Sequence, residues 1–167
     1  MNPATFINAS TLMIIVILFA LHIRTFIKGG KDPKILLAGI GGMIAGSSLA
    51  MCVGGSLGVV ATYIAGAGNA ASVIAPWATG TGDRALASGT AQGLTMEGGL
   101  IALVIGVITW VSIREAGKKE RLRLLGGLFS GVCLTYTGGV SGLVNGTLIP
   151  AYNGIGAQII SLVENQG

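Results

Sequence analysis

The sequence contains few side chains that could act on a substrate. The only histidine, His22, stands beside Arg24, which favours a solvated ring at the membrane interface over a metal ligand or a proton relay. Cys52 and Cys133 both fall within apolar segments, where thiols most simply serve as small packing residues. No spacing in the chain is typical of a catalytic triad, a carboxylate pair, a phosphate-binding loop or a metal cluster. We therefore expect a protein that is not an enzyme and that holds no cofactor or metal.

Most charged side chains of the chain lie in two short basic segments. Residues 23–34 carry four Lys/Arg and one acid, and residues 114–123 carry five Lys/Arg and two acids, so each segment has a net charge of +3. Such clusters either orient helices in a membrane or attract anions such as lipid phosphates. The basic side chains are Arg24, Lys28, Lys31, Lys34, Arg114, Lys118, Lys119, Arg121 and Arg123, and the acids are Asp32, Glu115 and Glu120.

Composition places these segments in an integral membrane protein. Hydrophobic residues make up 51% of the chain and charged residues only 10%, whereas a soluble domain has about 25% charged residues. The long apolar runs predict an all-α fold with four hydrophobic helices, at about residues 11–23, 35–63, 98–113 and 124–147. The second helix is longer than a bilayer needs, so it must tilt or continue outside the membrane. A final amphipathic helix is expected around Ile155, Ile159, Ile160 and Val163.

The charge distribution also predicts how these helices are oriented. Lys and Arg next to membrane segments are retained on the cytoplasmic side, so both basic segments should be inside. Both termini and the connection over residues 63–97 should then be outside. The positive charges follow the first apolar run instead of preceding it, so we expect this run to persist as a helix and not to be cleaved as a signal peptide.

Small residues recur at every fourth position in the second predicted helix and, except at Leu134, in the fourth. Four-residue spacing places them on one ridge of a helix, and such a ridge lets another backbone approach closely within a membrane. The two ridges are 84 residues apart, which predicts two tandem helix hairpins related as a parallel internal repeat. The predicted packing positions are Gly42, Gly46, Ala50, Gly54 and Gly58 in the first ridge, and Gly126, Ser130, Gly138, Gly142 and Gly146 in the second.

The repeat suggests a division of the chain into three parts. Residues 1–66 form the first hairpin, residues 67–96 form a Gly/Ala-rich outer connection, and residues 97–167 form the second hairpin with its amphipathic tail. Pro76, Trp77 and the glycines that follow mark bends in the connection, and they leave open whether it crosses the membrane or lies on it.

Two membrane functions are compatible with this pattern. A doubled glycine-rich hairpin is similar to the proteolipid of a rotary ATPase, but that machine needs a carboxylate in mid-membrane, and Glu97 stands at a helix end. An oligomeric pore, a holin-like protein or a small transporter would use intramembrane polar groups as its pathway. The polar residues in the predicted spans are Ser47, Ser48, Thr135, Tyr136 and Thr137, which could equally bond helix to helix.

A third class is a structural subunit that assembles through its glycine ridges. Each half, as in GGLIALVIGVITWVSIREAGKKERLRLLGGLFSGVCLTYTGGVSGLV (residues 98–144), resembles the two-helix major pilin of bacterial conjugative type IV secretion systems. The resemblance covers residues 11–62 and 98–146. It implies a self-assembling subunit that leaves the bacterial cytoplasmic membrane as a cell-surface filament with bound phospholipid. The basic segments would then face a lumen through which DNA or protein travels, although the chain shows no specific nucleic-acid motif.

Overall fold

The computed structural model describes residues 7–73, 76–77 and 93–165, and this part of the chain is helical, without β-sheets. Three helices in this part, over Ala9–Lys28, Pro33–Met51 and Met96–Glu115, are long and apolar enough to cross a membrane. A membrane location follows from them. The elements in chain order are α1 (Ala9–Lys28), α2 (Pro33–Met51), α3 (Gly55–Ser72), α4 (Met96–Glu115), α5 (Lys118–Thr135), α6 (Gly138–Leu143), a π-helical turn (Val144–Leu148) and α7 (Ile149–Glu164).

Local sequence signals explain where the apolar helices begin and end. Gly29 ends α1, and Asp32 caps α2 by accepting a hydrogen bond from the Lys34 N–H at 3.0 Å. Pro33 occupies the first turn of α2, where its missing N–H costs no helical hydrogen bond. Thr95 caps α4 in the same way through Gly98 N–H, which places Glu97 in the first turn as the sequence predicted.

The second predicted helix, over residues 35–63, is interrupted in the structure. Its first part, α2, has 19 residues and is about 28 Å long, which already matches the apolar thickness of a bilayer. The chain then turns at Gly54 and Gly55, whose φ angles of 93° and 65° suit glycine far better than other residues. A separate helix, α3, follows, and it extends through the predicted hairpin boundary at residue 66.

The fourth predicted helix, over residues 124–147, also differs from the structure. It begins earlier, because Lys118 to Arg123 form the first turns of α5 instead of a loop. It also ends earlier, at Thr135, and continues after Tyr136 and Thr137 as α6 and the π-helical turn. Pro150 lies in the first turn of α7, where proline is tolerated, so it starts the amphipathic tail helix instead of ending a membrane helix.

The two glycine-rich helices α2 and α5 pack against each other at the centre of the bundle. Gly42 contacts the backbone of Leu124 and Leu128, and one turn later Gly46 contacts Leu128 and Val132. Because both partners advance by four residues in the same direction, the two helices run parallel. Of the residues in the apolar span, 56% are buried in α2, against 11% in α1 and 17% in α4. The outer helices therefore present their apolar side chains to the surroundings, as expected for contact with lipid.

The remaining helices cover one end of the bundle. Ala61 and Ala65 of α3 pack in one buried cluster with Ala50 of α2 and Val132 of α5. Tyr152 of α7 packs in a second cluster with Met51 of α2 and Ala102 of α4. Both α3 and α7 thus lie at the end where α2 and α5 finish, which we call the capped end.

Candidate functional site at the basic end and the glycine crossing

The end of the bundle opposite the capped end gathers both basic segments. α1 runs antiparallel to α2, since His22 packs beside Gly39 and Gly29 packs against Ile35. α2 and α5 begin at this same end because they are parallel, and α4 finishes there next to the start of α5. We call this region, with its nine lysines and arginines, the basic end. Its cationic residues are Arg24, Lys28, Lys31, Lys34, Arg114, Lys118, Lys119, Arg121 and Arg123.

Most of these side chains are exposed, and two have a visible structural role. Arg121 donates from Nε to the Ile113 carbonyl oxygen at 2.9 Å and from Nη2 to the Arg114 carbonyl oxygen at 3.2 Å. It therefore closes the last turn of α4 and fixes the short connection to α5. The guanidinium of Arg114 lies 5.4 Å from the ring centre of Trp110, a cation–π arrangement at the end of an apolar helix. The other cations at this end remain able to meet an external anion.

The glycine crossing is the close contact between α2 and α5, formed by Gly42, Gly46, Gly127 and Gly131. A methyl group at any of these positions would overlap a backbone atom of the opposite helix: at Gly46 it would meet the Leu128 carbonyl oxygen, and at Gly131 the Met43 carbonyl oxygen. The Ser47 hydroxyl adds a hydrogen bond to the Gly131 carbonyl oxygen at 3.4 Å, between residues 84 positions apart.

The sequence placed its small-residue ridges on the two helices that meet at the glycine crossing, but it did not select every contact residue. Gly127 and Gly131 were missed, although their own four-residue spacing is visible in the sequence. Of the predicted second ridge, Gly126 instead faces the His22 ring and Ser130 is buried. In the first ridge, Ala50 is buried in the core and Gly58 packs beside the Cys52 carbonyl oxygen.

Three predicted ridge positions have no close neighbour among the residues that the structure describes. Apart from each glycine's own helix, no described atom lies within 4 Å of a methyl group placed at Gly54, Gly142 or Gly146. Gly54 forms the turn between α2 and α3, whereas Gly142 and Gly146 lie four residues apart on an exposed surface at the capped end. The backbone of Gly138 begins α6, and the surroundings of this glycine lie outside the described part of the structure.

The polar groups of the predicted spans mostly bond within the protein. Ser48 Oγ donates to the Ile44 carbonyl oxygen at 2.7 Å, so it accepts from the Tyr152 hydroxyl at 2.6 Å. Thr135 and Thr137 donate to carbonyl oxygens one turn earlier on their own helix. Both cysteines are free thiols, and the described residues contain no group of His, Cys, Asp and Glu arranged to hold a metal.

Comparisons with known proteins add no identification. No family model, curated protein or solved structure matches the chain.

Proposed function

We propose that this chain is a structural membrane subunit, not an enzyme, that assembles with copies of itself and binds phospholipid at its basic end. The observation that carries the proposal is the convergence of both basic segments on one end of the bundle. Nine cations face three acids there, which leaves a net charge of +6 next to apolar helices. In an assembly, such a density of positive charge would be costly unless anions neutralise it, and lipid phosphates are the nearest supply.

We infer that a tandem repeat underlies this arrangement. α2 ends at Met51 and α5 ends at Thr135, 84 residues later, and the Ser47 contact to Gly131 has the same separation. The close contacts at the glycine crossing come in symmetric pairs: Gly42 meets the Leu124 carbonyl oxygen as Gly127 meets that of Gly39. These pairs fit a pseudo-two-fold axis along the parallel helices, but they relate positions 85 residues apart, one residue out of register with the 84-residue repeat. Each half supplies one basic segment, so duplication doubles the charge at the basic end.

Self-assembly would use surfaces that the fold leaves free. The glycine crossing is occupied within the chain, so Gly42 and Gly46 are not available to another copy. In the described part of the chain no residue lies against Gly142 or Gly146, and Leu143 between them is 65% exposed. A neighbouring helix could approach the backbone there as closely as α5 approaches α2.

The resemblance to conjugative pilins suggests where such a subunit would act and what it would assemble into. We infer a subunit of the bacterial cytoplasmic membrane that is extruded as a conjugative type IV secretion filament. Its basic end would face a lumen for DNA or protein, with phospholipid between the lysines and arginines.

The test combines imaging with lipid analysis. Negative-stain microscopy of sheared cell-surface fractions should show filaments, and organic extraction of the purified assembly should yield phospholipid in about stoichiometric amounts. Replacing Lys28, Lys31, Lys118 and Lys119 with glutamine should lower the lipid content. Replacement of the exposed α7 residues Gln158 and Ser161 with alanine is the control and should not change it. A filament without lipid would contradict the proposal, and so would an unassembled monomer at native expression.

One observation favours a second candidate, an oligomeric pore or transporter. Both glycine-rich helices are interrupted, at residues 52–54 and 136–137, and interrupted helices commonly line transport sites. Ion flux through liposomes containing the purified chain would test this alternative. Flux that is lost on replacing Val53 and Thr137 with tryptophan, while the protein still inserts, would support a pathway at the interruptions.

A further inference from the structure

The only histidine of the chain lies between three helices at the level of the basic end. A methyl group at Gly39 of α2 would lie 3.0 Å from His22 Cδ2, and one at Gly126 of α5 would lie 3.3 Å from Cε1. The ring can occupy this position only because both neighbours are glycines. The sequence had favoured a solvated ring at the interface, and the structure instead buries the ring edge.

Hydrogen bonding defines the state of the two ring nitrogens. Nδ1 lies 3.0 Å from the Leu18 carbonyl oxygen, which can only accept, so Nδ1 carries the proton. In the neutral ring, Nε2 therefore presents a lone pair and requires a hydrogen-bond donor. Nε2 is buried, and no described residue forms a hydrogen bond with it. Buried polar atoms without partners are rare, and each calls for an explanation.

A cavity of about 60 Å³ adjoins this histidine. Most of its lining is apolar, from α1 and α2. The hydroxyl of Ser130, its other polar side chain, already donates to the Gly126 carbonyl oxygen at 2.8 Å. A water molecule in this cavity could donate to His22 Nε2 and to Ser130 Oγ, but its own oxygen would find no donor in the lining, so it would have fewer partners than the about three that buried waters usually have. The apolar lining residues are Phe19, Ile23, Ile35, Leu36, Ile40 and Met43.

The position of the cavity shows where an occupant would come from. Phe19, Ile23, Leu36 and Ile40 line it and are also exposed on the apolar surface of the bundle, by 40%, 53%, 46% and 44%. The cavity therefore opens toward the acyl-chain region of a bilayer. A molecule with an apolar tail could leave its tail there and place one polar group beside Nε2.

We propose that this cavity is a binding site for an uncharged lipid with a hydroxyl group, of the long-chain alcohol or acylglycerol class. The hydroxyl donates to His22 Nε2, and the tail lies along α1 and α2. A phosphodiester cannot satisfy Nε2, since it carries no proton to donate. An ammonium headgroup would add a further positive charge at the basic end, which already has a net charge of +6. This site is separate from the phospholipid binding proposed for the basic end and does not depend on it.

The single histidine makes the proposal directly measurable. The chain would be labelled with ¹⁵N-histidine, placed in phosphatidylcholine nanodiscs and titrated with 1-decanol or with decyl methyl ether, which has the same tail but no donor. With decanol, the Nε2 resonance should move saturably toward the shift of a hydrogen-bonded nitrogen. The ether should leave it unchanged. Equal shifts with both probes, or no shift with decanol, would overturn the proposal. A resonance already hydrogen-bonded to water before titration would also overturn it.

Variants provide a second readout with a photoreactive long-chain alcohol. Cross-linking to α1 or α2 should fall about fivefold in His22→Phe, the factor expected for one ordinary hydrogen bond. His22→Gln keeps an acceptor and should retain most of the labelling. Ile40→Phe fills the mouth of the cavity and should also reduce the labelling. Ile108→Phe, on the exposed face of α4, is the matched control and should leave the labelling unchanged. Undiminished labelling of both His22→Phe and Ile40→Phe would contradict the site.

Discussion

Single glycines decide how closely the two central helices approach. At the glycine crossing the backbone of one helix touches the backbone of the other, and a β-carbon at Gly42, Gly46, Gly127 or Gly131 has no space. The neighbour in each case is backbone, which cannot rotate away as a side chain can. At other glycines, such as Gly106 in α4, a β-carbon would have no neighbour within 4 Å in the described ranges outside its own helix. Glycine is therefore required for close packing in α2 and α5, whereas at Gly106 in α4 a larger residue would fit.

The first prediction compares these two glycines. Gly46→Ala should destabilise the protein by about 1–3 kcal/mol, because overpacking forces α2 and α5 apart. Gly106→Ala should be neutral or stabilising by up to about 1 kcal/mol, since alanine favours a helix more than glycine. Thermal unfolding in mild detergent, followed by circular dichroism, measures both. Similar effects of the two substitutions would contradict the close packing of α2 and α5.

The second prediction concerns the bond between Tyr152 and Ser48. Tyr152→Phe removes a buried donor but leaves Ser48 bonded to Ile44, so the loss should be about 0.5–1.5 kcal/mol. Tyr63→Phe is the control, because Tyr63 is 75% exposed and the substitution should change stability by less than about 0.5 kcal/mol. The same unfolding measurement applies, and a Tyr152→Phe protein as stable as the control would show that α7 is not held to α2 by this bond.

At the scale of elements, the sequence predicted those helices whose positions are determined by hydrophobicity and charge. α1 and α4 match the predicted apolar helices, and the tail helix α7 was also expected. The interruption after Met51 was not predicted, because Gly54 and Gly55 stand in a glycine-rich run where any glycine could take a positive φ. The facing positions of α5 were missed for a geometric reason. Gly126 and Gly127 differ by about 100° around the helix, so a shift of one residue selects a different neighbour.

The third prediction tests the two ends of the bundle. In a variant lacking both native cysteines, Gly117→Cys at the basic end should resist an impermeant thiol reagent in intact cells, whereas Tyr63→Cys on α3 should react. The reason is that the positive charge keeps the basic end in the cytoplasm while α3 covers the other end. Both positions are exposed, so burial does not account for a difference. Labelling of Gly117→Cys alone would show that the protein has the opposite orientation in the membrane.

At the scale of the whole molecule, the question is whether α2 meets α5 within one chain or between two chains. The composition alone suits either arrangement, because a small-residue ridge packs equally well against a second copy. The structure pairs α2 with α5 within the chain and leaves Gly142 and Gly146 without a close neighbour among the described residues. Because this pairing lies within one chain, the two halves should hold together without a covalent link between them. Assembly of several chains should then depend on a surface other than the glycine crossing.

The fourth prediction follows from this pairing. A specific protease site introduced into residues 78–92 would allow the chain to be cut after purification in mild detergent. The two fragments should then co-elute at the mass of one chain, because the extensive contact between α2 and α5 joins them. In Gly46→Leu, the enlarged side chain should separate the helices, so that cleavage releases two fragments. Gly106→Leu is the matched control and should leave them together. Separation of the unsubstituted fragments, or co-elution as a dimer of chains, would place the glycine crossing between copies instead of within one.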